Sequence, residues 1–254
     1  MRFASIGSGS RGNGTVIQWQ DTTLLVDCGF SAREVETRLA SLQLTPADID
    51  AILVTHEHGD HVSGVGVLAR KHDIPVWMTV GTSLQFNGGT LPSLQHFSGH
   101  ESFAIRDIEI VPYTVPHDAR EPCQFVFRNG VHSLALLTDV GNITPHIVEM
   151  VDGVDGFLLE CNHDLQMLQN GPYPTSLKQR VAGRLGHLSN DQAAELLMRM
   201  DHSRLQHLVA MHLSDQNNQA DLVSHCMAQA LDCESHWIGI ADQETGFSWR
   251  ELNK

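Results

Sequence analysis

Between positions 55 and 61 the chain reads Thr-His-Glu-His-Gly-Asp-His, which places three histidines and an aspartate within six residues. Imidazole and carboxylate together suit borderline divalent cations such as zinc and manganese. Four such groups cannot share one face of a helix, but on a loop at a strand end they converge on a small volume. His56 and His58, two apart, point to one side, while Asp60 and His61, displaced along the loop, point toward a second centre. Two cations about 3.5–4 Å apart activate water against a phosphate or a carbonyl. The competing reading, a polar turn with coincidental histidines, requires a local concentration far above average usage. Most of the other histidines, His72, His96, His100 and His132 among them, lack such context and read as structural.

The elements around the cluster must deliver it. Residues 2–6, 15–19 and 23–27 read as strands, the first two separated by a Gly-rich loop, as in antiparallel pairs with tight connections. Helical spacing runs over 31–42 with Ser31 as cap. Residues 51–55 form a short apolar strand leading into the cluster, and a helix is expected over 62–71. Further strands are expected at 75–80, 105–115, 131–138, 156–159, 206–211 and 237–241. Helices are expected at 176–185, at 190–200 with Ser189 as cap, and at 219–231. Segment 81–104 reads as a surface excursion without definite elements. Hairpins first, then strands alternating with helices, in two similar halves, predict two sheets with helices outside, a layered α/β architecture. No repeat or linker divides the chain, so one domain spanning 1–254 is expected.

A length of 254 residues buries a substantial core, and 41% hydrophobic with 18% charged residues is a globular composition. No run of about 18 apolar residues is present, which excludes a transmembrane helix. The polar start carries no secretory apolar region, so a cytoplasmic location is expected. Five cysteines without CxxC spacing read as reduced thiols. The net charge of −14 argues against a broad basic face. Contact with nucleic acid would then be local, or supplied through bound cations.

The pattern H-x-H-x-D-H after an apolar strand, at residues 56–61, resembles the signature of the metallo-β-lactamase superfamily, and the resemblance covers nearly the whole chain. It implies a four-layer αββα sandwich. It also implies that Asp27 packs beneath the metal loop, that His117 is the third histidine ligand, that Asp139 bridges two metals, and that His212 is the terminal ligand. One divalent ion, Zn²⁺ or Mn²⁺, would then be held by His56, His58 and His117, and a second by Asp60, His61 and His212, with Asp139 shared. His117, Asp139 and His212 each follow an apolar, strand-like run, so all three would leave the same sheet edge as the cluster.

His58 stands where a redox di-iron relative carries glutamate, and true lactamases lack the bridging aspartate, so neither branch is favoured. Gly186-His187-Leu188-Ser189 resembles the extra histidine motif of the tRNA-processing phosphodiesterases, and Glu160 stands where those enzymes keep a glutamate that orients it. The implied reaction is phosphodiester hydrolysis by in-line attack of a metal-bridging hydroxide. His187 would donate to the developing charge or leaving oxygen, Glu160 would hold its ring, and Asp60 would handle a proton. Ser8-Gly9-Ser10-Arg11-Gly12-Asn13, Gly171-Pro172-Tyr173-Pro174 and His212-Leu213-Ser214 resemble the YycJ (WalJ) branch, with Cys161 where that branch usually has serine. That likeness implies a 5′→3′ exonuclease acting on DNA ends. Arg11, Lys178, Arg180 and Arg184 are candidate phosphate contacts, and His163 a candidate ring beside substrate. The alternative is a small-molecule hydrolase of the same fold. A cyclic-nucleotide phosphodiesterase would keep the mechanism without a DNA groove, and a glyoxalase-II-like thioesterase would not need His187.

Overall fold

Fourteen strands pair into two seven-stranded mixed sheets in the computed structural model, which describes residues 1–253. Strands β1 (Arg2–Gly7), β2 (Gly14–Trp19) and β3 (Thr22–Val26) form an antiparallel meander. Strands β4 (Ala51–Leu53), β5 (Val76–Met78) and β6 (Leu94–His96) add to it in parallel. In the second sheet, β7 (Phe103–Ile105), β8 (Ile108–Thr114), β9 (Cys123–Arg128) and β10 (Ser133–Leu137) run antiparallel. Strands β11 (Gly156–Glu160), β12 (His207–Met211) and β13 (Gly239–Ile240) then continue in parallel. The last strand, β14 (Phe247–Glu251), returns to pair with β1.

Helices α1 (Ala32–Ser41), α2 (Gly59–Val62), α3 (Val65–His72) and α4 (Val80–Gln85) belong to the first half. Helices α5 (Pro145–Val151), α6 (Leu165–Asn170), α7 (Thr175–Val181), α8 (Asn190–Arg199) and α9 (Ala220–Leu231) belong to the second. Ser31 caps α1 and Ser189 caps α8, each in a reciprocal capping box with Glu34 or Gln192. Three apolar clusters define four layers. One lies between α1 and α3 and the first sheet, around Val35, Leu39, Leu68 and Ile52. A second fills the space between the sheets, where Phe3, Ile17 and Leu24 meet Phe125, Phe127 and Leu158. The third packs α8 and α9 on the second sheet through Leu196, Leu197, Val223 and Phe157. The αββα sandwich is therefore present.

Several elements differ from the sequence expectation. The helix expected over 62–71 is broken into α2 and α3 at Ser63 and Gly64. A Cβ on Gly64 would sit 2.0 Å from the Phe30 carbonyl oxygen, so this corner admits only glycine. The strand expected over 105–115 is present as β8 but starts only at Ile108, after a turn at Arg106 with φ of 48° that pairs it with β7. The helix expected at 176–185 stops at Val181. Segment 81–104 holds most of α4, all of β6 and the start of β7. Strand β6 is exposed at every position, so no burial alternation marks it. Strand β9, helices α5 and α6, and β14 were also unforeseen.

No helix among the described residues is long and apolar enough to cross a membrane, and the five cysteines are free thiols. Phe125 is fully buried between the sheets, in contact with Phe97 and Phe127. Its replacement by alanine should lower unfolding free energy by about 3–5 kcal/mol in a denaturant titration; a loss under about 1 kcal/mol would place the main core elsewhere.

Candidate active site

The chain leaves β3, β10 and β12 through a sharp reversal. Asp27, Asp139 and His212 stand within two residues of those strand ends and carry φ of 60°, 51° and 55°. Such left-handed backbone costs about 1–3 kcal/mol per residue and collects at functional sites. Here it turns three polar side chains, one from the first sheet and two from the second, toward a common site at one end of the sandwich.

Asp27 organises the cluster from below. Its Oδ1 accepts from the Thr55 amide at 2.9 Å, and its Oδ2 from Thr55 Oγ1 at 2.8 Å and His61 Nδ1 at 2.7 Å. His61 thereby spends its ring proton on Asp27 and turns the lone pair of Nε2 into the site. His56 Nδ1 donates to Thr55 Oγ1 at 3.0 Å, and His117 Nδ1 donates to the Gly186 carbonyl at 3.1 Å. Their Nε2 atoms are therefore also lone-pair donors. They lie 3.0 and 3.2 Å from His58 Nδ1. Asp60 Oδ2, His61 Nε2 and His212 Nε2 form a second group, with Asp60 Oδ2 3.5 and 3.4 Å from the two rings. Asp139 stands between the groups, with Oδ2 2.8 Å from His61 Nε2 and Oδ1 3.9 Å from His117 Nε2.

This donor set fits cations. Asp139 Oδ2 is buried and receives no hydrogen bond, yet it faces a ring nitrogen whose partner nitrogen already holds the proton. Two lone pairs at that distance repel unless a positive charge, a metal ion or a second ring proton, lies between them. Without a metal ion the site draws in protons instead. Burial opposes charge on His61, but the carboxylates of Asp139, Asp27 and Asp60 outweigh it and hold its pKa well above 6.5. Burial likewise opposes charge on His212, and Asp139 with hydrogen bonds to Asp60 and Glu160 raises it to about 10. Asp139 is held far below the usual carboxylate range, because the charges of His212 and His61 overcome its desolvation. The seven side chains offer groups of donors within 4.8 Å of one another, suited to divalent metal.

Beside them, His187 Nδ1 donates to Glu160 Oε1 at 2.8 Å and lies 3.3 Å from Asp139 Oδ1. Glu160 is fully buried, and its Oε2 accepts from the amides of Val140 and Leu188, both at 3.1 Å. Burial alone would raise Glu160, but the charge and hydrogen bond of His187 hold it at about 2. His187 is raised in turn, its desolvation outweighed by the charge of Glu160. With Nδ1 engaged, Nε2 is the ring atom left for a ligand in the cavity that His187 lines.

That cavity, about 390 Å³, is lined by His58, Asp60, His117, Asp139, His187 and His212 and walled by Tyr173, Leu177, Arg180 and Val181. Of the expected phosphate contacts, Arg180 alone reaches it, with Nε 2.7 Å from Asp118 Oδ2. Arg11 instead pairs with Asp215 and Glu244. Lys178 donates to the Gln169 carbonyl, and Arg184 does not line the cavity. His163 is fully buried, which removes it from contact with substrate; burial holds its pKa down at about 4. Sequence reasoning missed Asn13, whose Nδ2 lies 3.2 Å from His61 Nε2 and 3.4 Å from Asp60 Oδ2. It also missed Asp118, Asn162 and Ser214 at the cavity. Asp118 directly follows His117, a charge beside an expected ligand that could have been noticed.

A family model described as the beta-lactamase superfamily domain matches residues 22–213. The chain belongs to the metallo-β-lactamase superfamily. Within it, the chain is 36% identical to the Bacillus anthracis protein named exodeoxyribonuclease YycJ, over 95% of this chain and 93% of that one. It is equally 36% identical to exodeoxyribonuclease WalJ of Streptococcus pneumoniae, over 94% and 91%. The crystal structure of the metallo-β-lactamase fold protein YhfI from Bacillus subtilis shares the fold, with a TM-score of 0.76, 17% identity and 98% of each chain covered.

A superfamily centre of this kind depends on close packing beneath the metal loop. A Cβ on Gly29 would fall 1.7 Å from the Asp60 carbonyl oxygen. Gly29→Ala should therefore displace Asp60, lowering metal retained after dialysis and costing about 1–3 kcal/mol of stability. Full metal content, measured by plasma emission, would show that the Asp60 loop yields without consequence.

Proposed function

We propose that this chain is a metal-dependent phosphodiesterase that shortens DNA from its ends in the 5′→3′ direction. The observation that carries the reading is the pair His187–Glu160 at 2.8 Å, set beside the donor groups and opening on the cavity. The names of the two relatives, alike over nearly their whole length, support DNA as substrate. A thioesterase would share the seven donors but has no use for a histidine fixed by a buried glutamate. A cyclic-nucleotide phosphodiesterase would keep that histidine and differ in substrate alone.

The residues proposed to hold two divalent ions, Zn²⁺ or Mn²⁺, are His56, His58 and His117 for one, Asp60, His61 and His212 for the other, and Asp139 for both. When bound, the ions would lower the pKa of water and neutralise charge on the phosphoryl group. His187 stands beside the donor groups, with Nδ1 3.3 Å from Asp139 Oδ1. Glu160 fixes its ring and keeps it inclined to hold a proton, so Nε2 can donate to the phosphoryl oxygen or to the departing oxygen. Asp60, a carboxylate within the second donor group, is the proposed acceptor for a proton from the attacking water; the charges of His61 and His212 keep it ionised but also lower its basicity.

His187→Ala should slow DNA cleavage about 10²–10⁴-fold while metal content stays at the wild-type level. Loss of metal in that variant would make His187 a ligand. Asp139→Ala should abolish both metal retention and hydrolysis. End-labelled duplex DNA, single strands, RNA and a thioester, offered with Mn²⁺ or Zn²⁺, give the deciding comparison. A ladder of shortened DNA supports the reading, and turnover of the thioester alone overturns it.

A further inference from the structure

Helix α7 buries none of its residues, yet it carries an apolar stripe. Leu177 and Val181 are spaced four apart on one face, Tyr173 lies just ahead of the helix, and all three line the cavity. The stripe thus serves the cavity rather than the core. Ser10, Asn162 and Ser214 add polar groups to the lining, alongside members of the donor set. A ligand matching these surfaces has a flat apolar part and an anionic part joined together, as a nucleotide does.

The wall is held in place. Pro172 and Pro174 flank Tyr173 and restrict its backbone. Arg180 ties α7 to Asp118 at 2.7 Å, the His187 amide donates to the Val181 carbonyl at 2.8 Å, and the Asp118 amide donates to the Leu185 carbonyl at 3.1 Å. These links fix α7 against the loops that carry His117 and His187. At about 390 Å³ the cavity is near the lower end for ligand sites, room for a single nucleotide and not for a duplex.

We propose that Tyr173, backed by Leu177 and Val181, is the stacking platform for the base of the terminal nucleotide, so that the enzyme grips the end of a strand through that one base. This rests on the nuclease reading above. Stacking on an aromatic ring tolerates any base, so the subsite would confer a requirement for a base without a preference among them.

The test compares oligonucleotides that differ only in the terminal residue, one natural and one abasic. In the wild-type protein loaded with Mn²⁺, the abasic end should raise KM about tenfold with little change in kcat. Tyr173→Ala should raise KM for the natural end by a similar factor and abolish the difference between the two ends, whereas Tyr173→Phe should retain it. Equal KM for both ends in the wild type, or full discrimination in Tyr173→Ala, overturns the subsite. The wild-type comparison suffices alone if the alanine variant does not fold. DNA cut without regard to the terminal base refutes only the subsite, whereas DNA left intact while a small phosphodiester is hydrolysed refutes the nuclease reading and the subsite with it.

Discussion

The convergence of lone pairs in a space largely closed to water is the constraint around which this protein is organised. Imidazole nitrogens and carboxylate oxygens face each other at about hydrogen-bond distance with their protons directed outward, as at His61 Nε2 and Asp139 Oδ2. Such an arrangement repels itself unless cations or additional ring protons occupy it. Asp27, Thr55 and the Gly186 carbonyl take the outward protons. The left-handed turns at Asp27, Asp139 and His212 then hold the polar groups at one end of the sandwich, where the two sheets meet the site. The core between the sheets supplies the stability against which that strain is maintained.

The site divides its labour by direction. The metal donors form the floor, His187 and Glu160 stand at one side, and α7 forms a wall that has little to do with folding. A protein of charge −14 repels DNA at long range. Its grip on nucleic acid has to come from short-range contacts and bound cations. The positive groups expected to help are mostly spent on neighbours, Arg11 on Asp215 and Glu244 and Arg180 on Asp118.

The sequence was legible where local chemistry and burial agree. The capped helices beginning after Ser31 and Ser189, the opening meander and the dense cluster at 56–61 all announce themselves in a few residues. The distant donors His117, Asp139 and His212 were reached through a resemblance, although each also follows an apolar run. What escaped was set by tertiary contact. The break at Gly64 depends on the Phe30 backbone, which no local window contains. Exposed β6 has no inward face to mark it, and the charge of Arg11 cannot be seen to be neutralised until Glu244 arrives from the far end of the chain. His163 illustrates the same limit, since a histidine beside a motif reads as functional until the fold covers it.

Each proposed ion site draws donors from both halves of the sandwich. His56 and His58 come from loops of the first sheet and His117 from the second, and Asp60 with His61 are joined by His212 in the same way. Whatever fills these positions acts as a rivet across the seam. Ions bound there would add their binding free energy to the stability that the apolar core between the sheets already supplies, so occupancy and folding would be linked.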